Sequence, residues 1–309
     1  MSAKGGIRYT EPMIRFAWFG TLLYAFARLI GLLPMPALRA LGVAFGGLAY
    51  RLDSRETRIA RRNLVLIHPD IDDAARENMT RALMRSMGQS LMETLAIWTR
   101  PRARVLRLVQ QVQGEHHLQT ALAQGRGVLL AVPHYGNWEL LIEFMAARGP
   151  FSLVFKAPDK AGLERFLNKA RSGANVQLVP AETTAMRPLL RALQNGEVVG
   201  ITPDQQPRKG GGEFISFFGR PALTLSLIAK LAQRAGTPVV FAYTERSGAG
   251  FNVVFEAEEP ALHEPDLQVA LTAMNRRVAA IATRDFRQYQ WTYKRFSIRQ
   301  DPNEKNPYT

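Results

Sequence analysis

Beyond its first hundred or so residues the chain alternates short apolar runs with segments of helical periodicity, and this alternation constrains the fold more than any other feature. Short apolar runs bounded by turn residues are typical of buried strands. The predicted strands are Val128–Val132, Phe151–Phe155, Val176–Val179, Val198–Thr202, Val239–Tyr243 and Phe251–Phe255. The predicted helices cover residues 137–147, 161–171, 184–194, 222–235 and 265–286. This order predicts an α/β fold, with a mainly parallel central sheet flanked by helices.

The preceding part of the chain is predicted to be helical. We expect residues 1–36 to form an anchoring section, and residues 37–309 to form one α/β body with a helical entry over 37–113. Helices are predicted over Ser54–Ile67 and Asp72–Trp98. In the second helix a stripe of apolar side chains recurs at helical spacing and is predicted to face the core. The stripe consists of Met79, Leu83, Met87, Leu91 and Leu95.

The N-terminal section is apolar and aromatic from Phe16 to Leu33, and Arg28 is the one charge within it. A transmembrane helix needs about 20 apolar residues, and this stretch reaches that length only if Arg28 snorkels. Pro-Met-Pro follows it instead of a signal-peptide cleavage site. A second apolar segment, Leu38–Leu52, is rich in Gly and Ala. We predict a membrane-associating section, single-pass or monotopic, with basic flanks on the anionic cytoplasmic leaflet. A pair of buried core helices is the alternative.

The composition calls for an anionic partner and excludes thiol chemistry. The chain has 40 Lys and Arg against 26 Asp and Glu, a net charge of +14, and no cysteine. Nucleic acid, an anionic membrane, an acidic lipid or an acidic carrier protein would match that charge. The absence of cysteine excludes disulfides, thiolate metal sites and thiol nucleophiles. Only the charge suggests nucleic acid, and no binding motif accompanies it, so we expect no nucleic-acid partner and keep a basic nucleic-acid-binding protein only as a distant alternative.

A histidine is predicted to lie in a turn between a strand and a helix. It belongs to the segment from Val128 to Glu139, which reads Val-Leu-Leu-Ala-Val-Pro-His-Tyr-Gly-Asn-Trp-Glu. Asn137 is a favoured N-cap residue, and Glu139 suits the first helical turn. On one continuous helix His134 and Glu139 would diverge by about 140°, so they can meet only if His134 lies in the turn. A glutamate beside the imidazole would fix its tautomer and leave the other nitrogen as a general base.

This histidine block, from Pro133 to Glu139, resembles the His-x4-Asp/Glu block of glycerolipid-type acyltransferases, particularly the late (secondary) lipid A biosynthesis acyltransferase family. The resemblance covers nearly the whole chain, beginning with the N-terminal apolar helix. The further blocks, in order, are Arg58-Ile-Ala-Arg-Arg-Asn-Leu, Leu190-Arg-Ala-Leu-Gln-Asn-Gly-Glu, Pro203-Asp204-Gln-Gln-Pro, Phe214 to Thr224, and Gln288-Tyr-Gln-Trp291-Thr-Tyr-Lys-Arg-Phe. Each block is modest alone, but their order and spacing together are specific.

The resemblance implies that a fatty acyl chain moves from acyl carrier protein to a hydroxyl of a lipid A precursor, an anionic glycolipid. It implies the cytoplasmic face of the inner membrane as the location, and neither a metal nor a cofactor. A related acyltransferase that acts on a lysophospholipid or another glycolipid stays open as an alternative. No Gly-x-Ser-x-Gly elbow is present in the sequence, so we expect direct transfer without an acyl-enzyme.

The resemblance also assigns residues. The catalytic histidine and acid carry over to His134 and Glu139, and a family arginine and aspartate carry over to Arg171 and Asp204, which could instead brace the site. Lys156 stands where the family commonly has arginine. The predicted substrate-binding residues are Asn137, Trp138, Lys156, Arg187, Gln205, Arg208 and Lys209. The cationic ones among them, with Arg171, are expected to contact phosphates. Backbone amides near Asn137 are expected to hold the oxyanion.

Overall fold

A computed structural model describes residues 17–155, 167, 175–181, 186–207 and 210–309. Its α-helices are α1 Ala17–Gly31, α2 Met35–Arg51, α3 Arg55–Ile67, α4 Asp73–Thr99, α5 Arg102–Leu106, α6 Glu115–Ala123, α7 Trp138–Ala146, α8 Met186–Gln194, α9 Leu227–Ala235 and α10 Leu267–Arg284. Its strands are β1 Val109–Gln113, β2 Val128–Ala131, β3 Phe151–Phe155, β4 Val176–Pro180, β5 Val198–Ile201, β6 Gly212–Phe217, β7 Arg220–Leu225, β8 Val239–Ser247 and β9 Gly250–Glu256.

Seven of these strands form the central sheet, in the order β1-β9-β8-β2-β5-β3-β4. Neighbours are parallel except β8 and β9, which form an antiparallel pair. All four residues of β2 and of β5 are buried, as expected for central strands covered by helices on both faces. Separate apolar clusters fill the two faces of the sheet. The predicted α/β class and mainly parallel sheet are therefore confirmed.

The helical entry predicted over 37–113 ends before its last residues, because Val109–Gln113 is the edge strand β1, and one helix of the body was also predicted wrongly. The helix predicted over 222–235 begins only at Leu227, because residues 220–225 are β7 of a hairpin with β6. The stripe predicted for α4 is confirmed in part, because Leu83 is buried and Met79 and Met87 pack against the core, whereas Leu91 is 42% exposed. The helix predicted over 161–171 lies outside the described residues.

Helices α2 and α4 pack backbone against backbone through glycines. A Cβ on Gly88 would lie 2.0 Å from the carbonyl oxygen of Gly42, and a Cβ on Gly46 would lie 2.0 Å from that of Met84. No larger residue fits at these positions without pushing the helices apart. The face of α4 that carries Gly88 is therefore covered by α2.

The outward faces of α1 and α2 are apolar and exposed. The exposed large apolar side chains in these helices and their connections are Leu22, Phe26, Leu29, Leu32, Leu33, Leu41, Phe45, Leu48 and Leu52. Among the described residues no single helix has the length and apolar character to cross a membrane. The segments Tyr24–Gly31 and Met35–Arg51 have this length and apolar character only when they are taken together, and they are bent by 120° relative to each other.

A buried ion cluster joins these helices to the sheet. Glu93 on α4 is fully buried and accepts hydrogen bonds from Arg39 on α2, at 2.5 Å, and from Arg246 on β8, at 2.9 Å. Arg39 also donates to the carbonyl oxygens of Gly248 and Gly250 in the β8–β9 hairpin. The charge of Glu93 is thus shared between two arginines, which fixes α2 and α4 against the sheet.

Candidate active site

His134 lies in the turn that connects β2 to α7. Gly136 in this turn has a φ of +62°, and a Cβ there would lie 1.6 Å from the carbonyl oxygen of Thr244 in β8. Only glycine combines this backbone conformation with so close an approach. The turn that carries His134 is therefore held in place by backbone contact with the sheet.

A C-terminal segment, residues 286–296, runs beside this turn. The backbone N–H of Gln290 donates to the carbonyl oxygen of His134 at 3.0 Å, and the N–H of Gly136 donates to that of Gln288 at 2.9 Å. These bonds satisfy polar backbone groups that the turn would otherwise leave unpaired. The C-terminal segment, which is distant in sequence, therefore supports the His134 turn.

Asp204 provides the carboxylate that contacts the imidazole. Its Oδ1 lies 2.8 Å from Nδ1 of His134, and its Oδ2 accepts the backbone N–H of His134 at 2.7 Å. Asp204 follows β5, whose parallel pairing with β2 brings the chain beyond both strands to the same edge of the sheet. Only 3% of Asp204 is exposed. Both carboxylate oxygens bind one residue, which fixes the orientation of the ring.

This contact determines which ring nitrogen can act as a base. Burial tends to raise the pKa of Asp204, but the charge of His134 and the hydrogen bonds from its ring and backbone bring the pKa below the usual 3.8. The ionised carboxylate only accepts, so in the neutral ring Nδ1 carries the hydrogen and Nε2 has the lone pair that can take a proton. Burial, together with the adjacent Asp204 carboxylate, holds the pKa of Tyr289 well above its usual value, so Tyr289 stays protonated.

Nε2 of His134 faces a carboxamide. The side-chain nitrogen of Gln205 lies 3.1 Å from Nε2, and the same nitrogen donates to Oε1 of Gln290, also at 3.1 Å. Both neighbours are acceptors, so each hydrogen of this NH2 group has its own partner. The ring of Trp138 packs edge-on against the imidazole, with 5.3 Å between centroids. Nε2 is thus held between an amide donor and an aromatic edge.

A cavity of about 930 Å³ adjoins this group, and His134, Trp138 and Gln205 are part of its wall. This volume is near the upper end of the roughly 300–1,000 Å³ found for small-molecule sites. Much of the remaining wall is apolar. The apolar residues include Val154, Phe155, Met186, Ile201, Leu225 and Leu227. Such a wall beside a base suits a ligand with a long apolar chain and a reactive polar end.

Glu139 is buried in the first turn of α7, where the sequence placed it. The expectation that its carboxylate fixes the tautomer of His134 needs correction, because the carboxylate on Nδ1 belongs to Asp204. A carboxylate that meets the ring from β5 was not readable from the local sequence around His134. The assignment of Glu139 as a catalytic residue stays a prediction.

Asn137 occupies the N-cap position of α7, but its side chain makes no capping hydrogen bond. Its Oδ1 accepts from Thr94 at 3.3 Å and its Nδ2 donates to the carbonyl oxygen of Ser90 at 3.4 Å, both on α4. These contacts join α7 to α4. Arg187 is exposed on α8. The predicted residues Lys156, Arg171, Arg208 and Lys209 lie outside the described residues.

The side chains of the 286–296 segment have no role that the sequence predicts. Its Tyr293 hydroxyl accepts the backbone N–H of Gln206 at 3.0 Å, and the carbonyl of Arg295 accepts from the Gln206 side chain at 2.9 Å. The segment therefore supports the loop after Asp204 as well as the His134 turn. The resemblance block from Gln288 to Phe296 was the one signal in the sequence, and it indicated no contacts.

Comparison with known proteins gives a consistent result. The family described as bacterial lipid A biosynthesis acyltransferase matches residues 4–297. A lipid A biosynthesis acyltransferase of Haemophilus influenzae is 27% identical over 305 residues, which are 97% of this chain and 95% of the relative. A lipid A biosynthesis lauroyltransferase of Escherichia coli is 27% identical, over 86% of this chain and 87% of its own. A palmitoleoyltransferase of the same pathway and organism is 28% identical, over 94% of each chain.

Proposed function

The chain belongs to the bacterial lipid A biosynthesis acyltransferase family, and we propose that it moves a fatty acyl chain from acyl carrier protein to a hydroxyl of a lipid A precursor. One observation carries this proposal. The imidazole of His134 is oriented by Asp204 through Nδ1, and it forms part of the wall of a largely apolar cavity. A base with a fixed tautomer beside an apolar cavity is what direct transfer of an acyl chain to a hydroxyl requires.

In the proposed reaction His134 Nε2 takes the proton of the acceptor hydroxyl as the oxygen forms a bond to the thioester carbon. The carbonyl electron pair moves onto its oxygen. When this pair returns, the carbon–sulfur bond breaks, and the thiolate of the carrier arm takes the proton from the imidazolium. Asp204 stabilises the imidazolium through Nδ1 in both steps. Glu139 is retained in the proposal as the second buried carboxylate of the site, one residue after Trp138.

We assign the apolar wall of the cavity to the acyl chain of the donor. The basic residues Lys156, Arg171, Arg187, Arg208 and Lys209 keep their predicted role as contacts for phosphates of the acceptor or of the carrier arm. Lys230 lines the same cavity and adds a cation to this set. A carrier protein that is acidic would be attracted by the net charge of +14, and this attraction would weaken as salt is raised.

We further propose that the enzyme acts at the cytoplasmic face of the inner membrane, with α1 and α2 lying in the interface. Their exposed apolar face supports this location, as do the exposed Arg28 on α1 and Arg51 on α2. Each basic side chain near an anionic surface contributes about 1 kcal/mol. The 120° bend between the helices favours a monotopic position over a straight span.

Flotation with vesicles that contain anionic lipid tests the interfacial position. Phe26→Asp combined with Leu48→Asp places two charges on the apolar face, and we expect most of the protein to leave the vesicle fraction. Leu122→Asp is the matched control, because Leu122 is an exposed apolar residue on α6, away from that face. Unchanged flotation of the double variant would contradict the interfacial position.

Transfer by the purified protein tests the function itself. The donors are acyl carrier proteins loaded with chains of increasing length, and the acceptors are a lipid A precursor, a lysophospholipid and a second glycolipid. Mass spectrometry of the products should show one added acyl chain on the lipid A precursor, and His134→Ala should form this product at least about 100-fold more slowly. Transfer only to the lysophospholipid or to the second glycolipid would replace the proposed acceptor.

A further inference from the structure

We propose that the side chain of Gln205 is a catalytic residue that donates a hydrogen bond to the oxyanion of the transfer reaction, and that Gln290 positions it. This inference rests on the proposed function of the site. It begins from one atom, the carboxamide nitrogen of Gln205, which lies 3.1 Å from Nε2 of His134 and 3.1 Å from Oε1 of Gln290.

The first step concerns the state of Nε2. In the neutral ring, with its hydrogen on Nδ1 facing Asp204, Nε2 can accept one hydrogen bond, which Gln205 provides. During the reaction Nε2 receives the proton of the acceptor hydroxyl. Nε2 has one lone pair, so the N–H of Gln205 must leave it when the hydroxyl binds, and it cannot return while Nε2 bears the proton.

The second step concerns where the released N–H then points. The hydroxyl that replaces Gln205 lies within hydrogen-bond distance of Nε2, which is the separation that Gln205 itself has from Nε2. The carbon that the hydroxyl attacks, and the oxygen on that carbon, therefore come within reach of the same amide nitrogen. Negative charge develops on this carbonyl oxygen, and a donor already placed beside it stabilises the transition state more than the ground state.

The amide of Gln205 is held so that it does not turn away from the reacting group. Its second hydrogen stays on Oε1 of Gln290, whose backbone N–H donates to the carbonyl oxygen of His134 at 3.0 Å. The backbone of Gln205 is fixed next to Asp204, which is bound to both the ring and the N–H of His134. The base, the donor and the acceptor that holds the donor are thus parts of one hydrogen-bonded unit.

The test compares four variants in the transfer assay. Gln205→Met has a similar length and no donor, and we expect kcat to fall by about 100- to 1,000-fold with little change in KM. Gln205→Glu places a carboxylate at the developing charge and should be at least as impaired. Gln290→Met removes the anchoring oxygen, and we expect a fall in kcat of roughly tenfold. Gln290→Glu keeps an acceptor at this position and should restore kcat to within a few-fold of the wild type.

Gln233→Met is the control for loss of a carboxamide, because Gln233 lies on α9 and its side chain binds the carbonyl oxygen of Glu264. It should leave the kinetics unchanged, and thermal unfolding should establish that each variant is folded. Near-normal kcat in Gln205→Met or in Gln205→Glu would overturn the inference and leave Gln205 as a group that only covers Nε2. In that case the wild type would still transfer, and His134→Ala would transfer at least about 100-fold more slowly. Failure of the wild type to transfer would instead overturn the proposed function.

Discussion

Replacing Asp204 with asparagine separates the charge of this side chain from its shape, and its effect can be worked out from the hydrogen bonds. Two of the hydrogen bonds that Asp204 accepts come from His134, one from its backbone N–H and one from Nδ1–H. Asparagine offers one carbonyl oxygen and one NH2 group. One of the two donors must therefore face the NH2 group, or the ring must move its hydrogen from Nδ1 to Nε2.

The alternatives differ in free energy. A backbone N–H that faces an NH2 group is a buried donor without an acceptor, at a cost of about 1–3 kcal/mol. The ring avoids that cost by changing its tautomer, after which Nδ1 accepts from the NH2 group. This preference would deplete the working tautomer by roughly 5- to 150-fold, and the imidazolium also loses its carboxylate. We expect kcat/KM to fall by about 10³–10⁴-fold, which is about 4–5.5 kcal/mol of transition-state stabilisation.

The assay is acyl transfer under steady-state conditions with the wild type, Asp204→Asn and a control. Asp285→Asn is the control, since Asp285 is a carboxylate of lowered pKa that binds Arg287 away from the imidazole. The control should retain the wild-type kcat/KM. If folded Asp204→Asn keeps kcat/KM within about tenfold of the wild type, then Asp204 does not set the tautomer of His134.

The remaining predictions concern the base, the stability at low pH and the packing of the N-terminal helices. His134→Ala should lower the transfer rate by roughly 100-fold or more without unfolding, and Glu139→Ala should also lower it; rates and circular dichroism check both. The lowered pKa of Asp204 contributes stability that is present above pH 3.8 and lost as the pH falls further, so the difference in urea stability between the wild type and Asp204→Asn should shrink below that pH. Gly88→Ala should lower the free energy of unfolding by about 1–3 kcal/mol, because the added Cβ would meet the backbone of Gly42. Gly47→Ala has no atom closer than 3.9 Å to its Cβ and should raise the free energy of unfolding by up to about 1 kcal/mol; thermal unfolding measures both variants.

The sequence was sufficient for the parts of the fold that burial determines. The runs that became β2, β3, β5 and β8 are apolar on both faces, because helices cover both sides of the sheet. Strands that contain many polar residues were not predicted, because they lack the continuous apolar run that burial on both faces produces. β1 reads Val-Gln-Gln-Val-Gln and lies at the sheet edge, where pairing with β9 rather than burial defines it. The β6–β7 hairpin turns at Phe218 and Gly219, both with positive φ, and its strand was mistaken for the start of a helix.

The site was only partly readable, because its contacts depend on the order of strands in the sheet. Local sequence placed His134 in a turn at a strand end, and that position is correct. The local sequence offered Glu139 as the nearest carboxylate, and nothing in the alternation of strands and helices says that β5 lies next to β2. That adjacency brings Asp204 to the imidazole across 70 positions of sequence. The Gln205–Gln290 contact depends on a further adjacency, between this edge and the C-terminal segment.

The blocks that carried the family resemblance converge in space. Asn63, in the Arg58–Leu64 block, is 1% exposed, and its side-chain nitrogen donates to the carbonyl oxygens of Trp291 and Tyr293. These residues belong to the C-terminal block, which supports both the turn of His134 and the loop of Asp204. The Arg58–Leu64 block therefore contacts the C-terminal block, which in turn contacts the turn of His134 and the loop of Asp204. Asn63 lies away from the imidazole in sequence and supports the site through the backbone of Trp291 and Tyr293, which it binds.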